Sequence, residues 1–179
     1  MTFQTFRLWA ITLMMMASVS IHAQEASMQA LINQSLNKLS LSTGEGSSPD
    51  AFLNCIAEMK RIDAIFPDSI QPKHQMALQS LNFSVMNPHA PQTERLLTEA
   101  EQTITKMEQM KNADQSDIYT LRGFLYMIRI VQNPAQNGQR YYIDVMQNYE
   151  KALKLNPNNH LAKQLQQKFY EGMKQQTGK

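Results

Sequence analysis

Apolar residues recur at helical spacing through most of this chain, and prolines and glycines sit almost entirely between those runs, cutting it into pieces each long enough for one helix. The pieces fall at about 25–41, 50–66, 70–86, 92–111, 116–132, 138–155 and 159–174. Strand signals are nearly absent, so apolar stripes of helices must be buried against one another. The one rival is "FLYMIRIV", residues 124–131, which is β-prone in composition. Asp114, Ser116 and Asp117 supply N-cap chemistry just upstream of it, and Tyr119, Gly123, Tyr126 and Ile130 repeat at helical spacing. A buried helix is therefore predicted there. In the second piece Phe52, Cys55, Ile56, Met59, Ile62 and Phe66 share one face, opened by Ser48, Pro49 and Asp50 and closed by Pro67. In the sixth, Val145, Tyr149, Ala152 and Leu153 form a similar stripe, with Glu150 and Lys154 paired on the wet side. Short turns between such pieces lead to antiparallel helix pairs.

The first residues, "MTFQTFRLWAITLMMMASVSIHAQ", carry one charge, Arg7, then an apolar stretch from Leu8 to Ala17, then small and polar residues. That is the layout of a secretory signal peptide, with cleavage expected after Ala23. The apolar run is shorter than the roughly 20 residues a membrane-spanning helix needs. No cysteine lies near the cut, so neither a lipid nor a helical membrane anchor is expected, and residues 24–179 form the expected mature domain. Removing residues 1–23 takes away Arg7 and no acid, so the formal charge falls from +2 to +1 and about 156 of the 179 residues remain. Such a length can bury roughly 70% of the unfolded chain's surface as one domain. The charge balance carries no footprint for nucleic acid. Cys55 is the single cysteine, so no disulfide can form within the chain and stability must come from the core.

A repeat is visible in "YEKALKLNP": Val145, Tyr149, Ala152 and Pro157 stand at intervals of four, three and five. The same intervals of four, three and five hold for Ala100, Ile104, Met107 and Asn112, and for Cys55, Met59, Ile62 and Pro67. Upstream of the first set, "YTLRGFLY" carries Tyr119, Gly123 and Tyr126, and "NPNNHLAKQLQQKFY" follows with Ala162 and Tyr170. These motifs resemble the two helices of a tetratricopeptide repeat (TPR), and with the leader included the chain is similar to small exported TPR-like proteins of Gram-negative bacteria. Two departures stand out: Arg122 occupies a slot usually held by Leu, and about ten extra residues around "NPAQNGQR" are expected to separate the helices of the last unit. The resemblance implies an all-α fold of antiparallel helix pairs stacked as a short right-handed solenoid. About three repeats are expected, closed by a C-terminal capping helix with a polar outer side.

Catalytic chemistry finds little support in these residues. No serine or cysteine sits on a sharp glycine-flanked turn, no phosphate loop is present, and no cofactor is implied. His74, His89 and His160 lack ligand spacing, so no metal is expected. Met107 and Met110 carry thioethers three residues apart, a spacing also demanded by helix packing. Cys55, in the small-residue slot of the repeat, reads as core rather than as a reactive thiol.

The resemblance places Asp117, Thr120, Phe124, Met127 and Ile128 on the inner wall formed by first helices, an unusually apolar wall. Either the N-terminal helix, Ala26 to Leu41, folds over this wall, or the wall is a groove for a partner's apolar segment. A second candidate surface combines Arg122, Tyr126, Arg129, Arg140, Tyr141 and Tyr142, residue types common at interface anchors. The expected function is that of an exported, non-enzymatic scaffold, periplasmic or secreted, which binds a protein or peptide of the cell envelope. Two alternatives remain: a small helical carrier or enzyme that takes a lipid-like ligand in an apolar groove, and a subunit whose exposed face makes a homodimer.

Overall fold

The computed structural model describes residues 3–42 and 48–177, with side chains over 23–42 and 48–174. The expected leader, residues 1–23, therefore lies outside the described side chains except for Ala23. Among the described residues there are seven helices and no strand: α1 (Phe3–Ser42), α2 (Pro49–Ile65), α3 (Ile70–Met86), α4 (Thr93–Glu108), α5 (Gln115–Gln132), α6 (Pro134–Leu155) and α7 (His160–Thr177). None of them is long and apolar enough to cross a membrane.

The β-prone segment 124–131 lies inside α5, as its spacing predicts, and Phe124, Leu125, Met127, Ile128 and Ile130 are all buried. Asp114 caps this helix, its carboxylate accepting from the Ser116 amide at 2.8 Å. The start of α6 differs from expectation. Rather than forming a loop, "NPAQNGQR" is wound into the helix, and Asn133 alone joins α5 to α6. The Asn133 side chain accepts from the Gln136 amide at 3.2 Å, and Pro134 sits at the first helical position, where a missing N–H costs nothing. The Asn-Pro pair thus acts as a start signal, and the extra residues lengthen the hairpin instead of interrupting it.

Every consecutive pair of helices packs together, and α5 additionally meets α3 on one side and α7 on the other. Two apolar cores result. One gathers residues of α3, α4, α5, α6 and α7 around Leu121 and Ile128. The other joins Met28, Ile32 and Leu39 of α1 to Phe52, Ile56 and Met59 of α2, and takes in Phe83 and Leu96. The α3–α4 hairpin divides itself between them: Leu81 and Leu97 enter the first core, Phe83 and Leu96 the second. The nine positions matched by spacing in the second, fourth and sixth helices are buried throughout, from Cys55, Met59 and Ile62 through Ala100, Ile104 and Met107 to Val145, Tyr149 and Ala152.

The turns share a hydrogen bond. Ser69 donates to the Phe66 carbonyl at 3.0 Å, Ala113 to Met110 at 3.1 Å and Asn159 to Asn156 at 3.0 Å, each just before a new helix. Two polar side chains fasten these turns. Buried Lys73 donates to the Asp63 carboxylate at 2.5 Å and to the Pro67 and Ser69 carbonyls, using all three of its N–H groups. Asn159 accepts from the Ala162 amide at 3.0 Å while its Nδ2 lies within 3.2 Å of Ser116 Oγ, Asp117 Oδ1 and Thr120 Oγ1. The start of α7 is thereby locked onto the first turn of α5.

Candidate interaction site

Four of the five side chains assigned to an open inner wall lie inside the protein. Thr120, Phe124, Met127 and Ile128 are buried, with Phe124 at 3% and Met127 at 8% exposure. Their cover is not the N-terminal helix, whose buried residues belong to the other core. The physical reason is that α3 and α7 both pack on α5, so this face of α5 becomes packing surface. Asp117, the fifth, stays 44% exposed at its side chain.

The outward stripe of α5 consists of Tyr119, Arg122, Tyr126 and Arg129, repeating at three, four and three residues. Arg122 makes a two-pronged ion pair with Glu108 of α4, Nη2 to Oε2 at 2.6 Å and Nη1 to Oε1 at 3.1 Å. The head of Arg122 thus reaches across to α4 instead of into the core. Arg129 meets Glu94 at 2.6 Å, and Gln132 donates to the second oxygen of the same carboxylate at 2.6 Å. Those two bonds hold the Glu94 carboxyl below the usual carboxylate range, the Arg129 bond being the larger cause.

From α6, Tyr141 stacks on Tyr126 with centroids 5.4 Å apart and planes 16° from parallel, and the Arg140 guanidinium lies 5.0 Å over the Tyr141 ring. Partial burial, followed by the carboxylates of Asp144 and Glu101, pushes the Tyr126 hydroxyl up in pKa. Between α4 and α6, over this stripe, lies a polar groove of about 460 Å³ lined by Glu94, Glu101, Tyr126, Arg129, Asn137 and Tyr141 among others. The structure therefore unites Arg122, Tyr126, Arg129, Arg140 and Tyr141. Tyr142 is separate, its ring 5.6 Å from Phe169 of α7.

The remaining candidates sit as follows. Cys55 is buried, Ser35 Oγ donates to its sulfur at 3.4 Å, and burial pushes the thiol pKa up. Met107 is buried in the core and Met110 is half-buried beside it; both border a second groove, at the end of the bundle. Among the described residues no three His, Cys, Asp or Glu side chains gather as a metal site. Lys73 and Asn159, which organise the turns, escaped the sequence reading because a lone Lys or Asn on a helix border ordinarily faces water.

What fold and site define is an all-helical protein of packed neighbouring helices whose central hairpin borders a groove lined by Tyr126, Arg129 and Tyr141 among others. Comparison of the chain with protein-family models, with curated proteins and with solved structures finds no match.

Proposed function

We propose that this protein is an exported, non-enzymatic, TPR-like scaffold that binds a protein or peptide of the cell envelope on the face formed by α4, α5 and α6. The observation that carries the reading is the Tyr126–Tyr141 stack flanked by Arg122 and Arg129, each arginine already oriented by a glutamate of α4. Rigid tyrosines and arginines held in place lose little entropy on docking, which is why such groups anchor interfaces.

Support for a repeat architecture comes from the turns and the packing order. The three turns after α2, α4 and α6 carry the same backbone bond, and α3, α5 and α7 follow one another as first helices that touch. Of these, contact between successive units is what a solenoid of helix pairs requires. The carrier alternative relied on an apolar wall, and four of the five side chains offered for it are buried.

Site-specific photo-crosslinking tests the reading. A benzophenone amino acid replaces Tyr141 in one version of the protein and Lys168, exposed on α7, in another. Irradiation in cells should give a protein adduct at 141 and none at 168. Absence of an adduct at 141, or the same adducts at both positions, overturns the assignment of the face.

A further inference from the structure

A second groove, of about 890 Å³, opens at the end of the bundle where α2 turns into α3 and α4 turns into α5, beside the Gln24–Met28 stretch of α1. Its size lies within the range of about 300–1,000 Å³ typical of ligand sites. Part of the lining is apolar: Met28, Phe66 and Ile118 are buried beneath it, and Ile65 is 61% exposed at its edge.

The charged lining is one-sided. Glu25, Asp68, Asp114 and Asp117 face Lys111, four carboxylates against one ammonium, on a chain whose formal charge is +2. His74 also borders the groove, with Nε2 3.9 Å from Asp117 Oδ2; burial holds its pKa below the usual value, so it adds no full cation at neutral pH. Glu58, Asp63, Glu94, Glu99 and Glu108 each have a Lys or Arg within 4.0 Å, whereas among the described residues no Lys or Arg stands that close to any of the four groove acids. Asp114 and Asp117 are held in place by the Ser116 amide and by Asn159, so their charges are fixed at the groove.

We infer that this groove docks a cationic segment of a partner protein that carries at least one apolar anchor, Lys or Arg side chains meeting the carboxylates and the anchor covering Ile65. The inference rests on the scaffold reading and adds a second docking place, apart from the α4–α5–α6 face, with a stated chemistry for the segment it takes. An anionic or wholly apolar segment would bring four carboxylates out of water without counter-charge, which opposes docking.

The test uses the full chain and a fluorescein-labelled heptapeptide of alternating lysine and leucine, read by fluorescence anisotropy. A heptapeptide of alternating glutamate and leucine serves as the charge-reversed probe. The variant is Glu25→Gln with Asp68→Asn, because neither carboxylate makes a hydrogen bond or ion pair among the described residues, and thermal melts verify its fold. The lysine probe should bind the wild type and lose about tenfold in affinity on the variant, roughly the effect of two rim charges, while the glutamate probe should not bind. No binding of the lysine probe, equal affinity for both proteins, or equal binding of the glutamate probe overturns the inference. A chain that crosslinks through position 141 yet ignores the lysine probe keeps the scaffold reading and loses this groove.

Discussion

The Tyr149 ring lies so close over Gly123 that a Cβ built at position 123 would stand 2.7 Å from Cε1 and 2.9 Å from Cδ1. This contact sets the spacing of the α5–α6 hairpin. Tyr149 is fully buried, with its hydroxyl 4.0 Å from Met127 Sδ, so the ring has no free volume into which it could retreat. Gly123→Ala should destabilise by about 1–3 kcal/mol through overpacking, against the roughly 1 kcal/mol that alanine would contribute to an open helix. Urea denaturation measures the difference, and a stabilised variant would show that the helices are farther apart.

Gly138 is the converse case. Nothing lies within 4 Å of a Cβ built there, and the residue sits inside α6 rather than in a loop. Gly138→Ala should stabilise by about 0.5–1 kcal/mol through helix propensity alone. A loss of stability would mean that residues 134–140 are not helical.

Removing the Lys73 ammonium tests the α2–α3 staple. Lys73→Met keeps the stem but leaves the Asp63 carboxylate and two carbonyls without their donor. A cost of about 2–3 kcal/mol is expected, below the usual figure for a broken buried pair because Asp63 keeps some contact with water. A midpoint shift in urea with unchanged slope would report it.

Stability should also depend on pH near neutrality through His74. Burial is the largest influence on this imidazole and lowers its pKa from 6.5, with Asp117 and Asp114 opposing. The unfolded chain then binds the proton first, so the stabilisation is full above about 6.5 and is lost as pH falls toward the lower native value. The carboxyl groups of Glu58, Glu94 and Glu99 are held below their usual value, so the stability they contribute is lost in a more acid range than that of His74. Melting temperatures between pH 7.5 and 5.5 should fall for the wild type and flatten for His74→Gln; parallel curves would exclude the imidazole as the cause.

Much of the helical plan could be read from spacing. The limits of the helices at 49–65, 70–86 and 115–132 lie within a residue of those expected, because proline and cap residues mark them sharply. Burial at Cys55, Ala100 and Val145, and at the positions spaced from them, also followed from periodicity. Two features did not. Asn133 and Pro134 look like a break until the cap geometry shows them starting α6, since the same residues serve loops and helix N-termini. The fate of Phe124 and Ile128 depends on α3 and α7, which come from distant parts of the sequence, and a single helix cannot reveal what covers it. Arg122, Tyr126 and Arg129 were legible as members of an aromatic and basic cluster, but the glutamates of α4 that hold the two arginines were not.

The most direct measurement of the central claim is affinity capture from envelope extract with the wild type beside a Tyr126→Ala/Arg129→Ala variant shown to be folded. The account predicts that specific proteins are held by the wild type and lost by the variant. Equal recovery from both would contradict the assignment of partner binding to the α4–α5–α6 face.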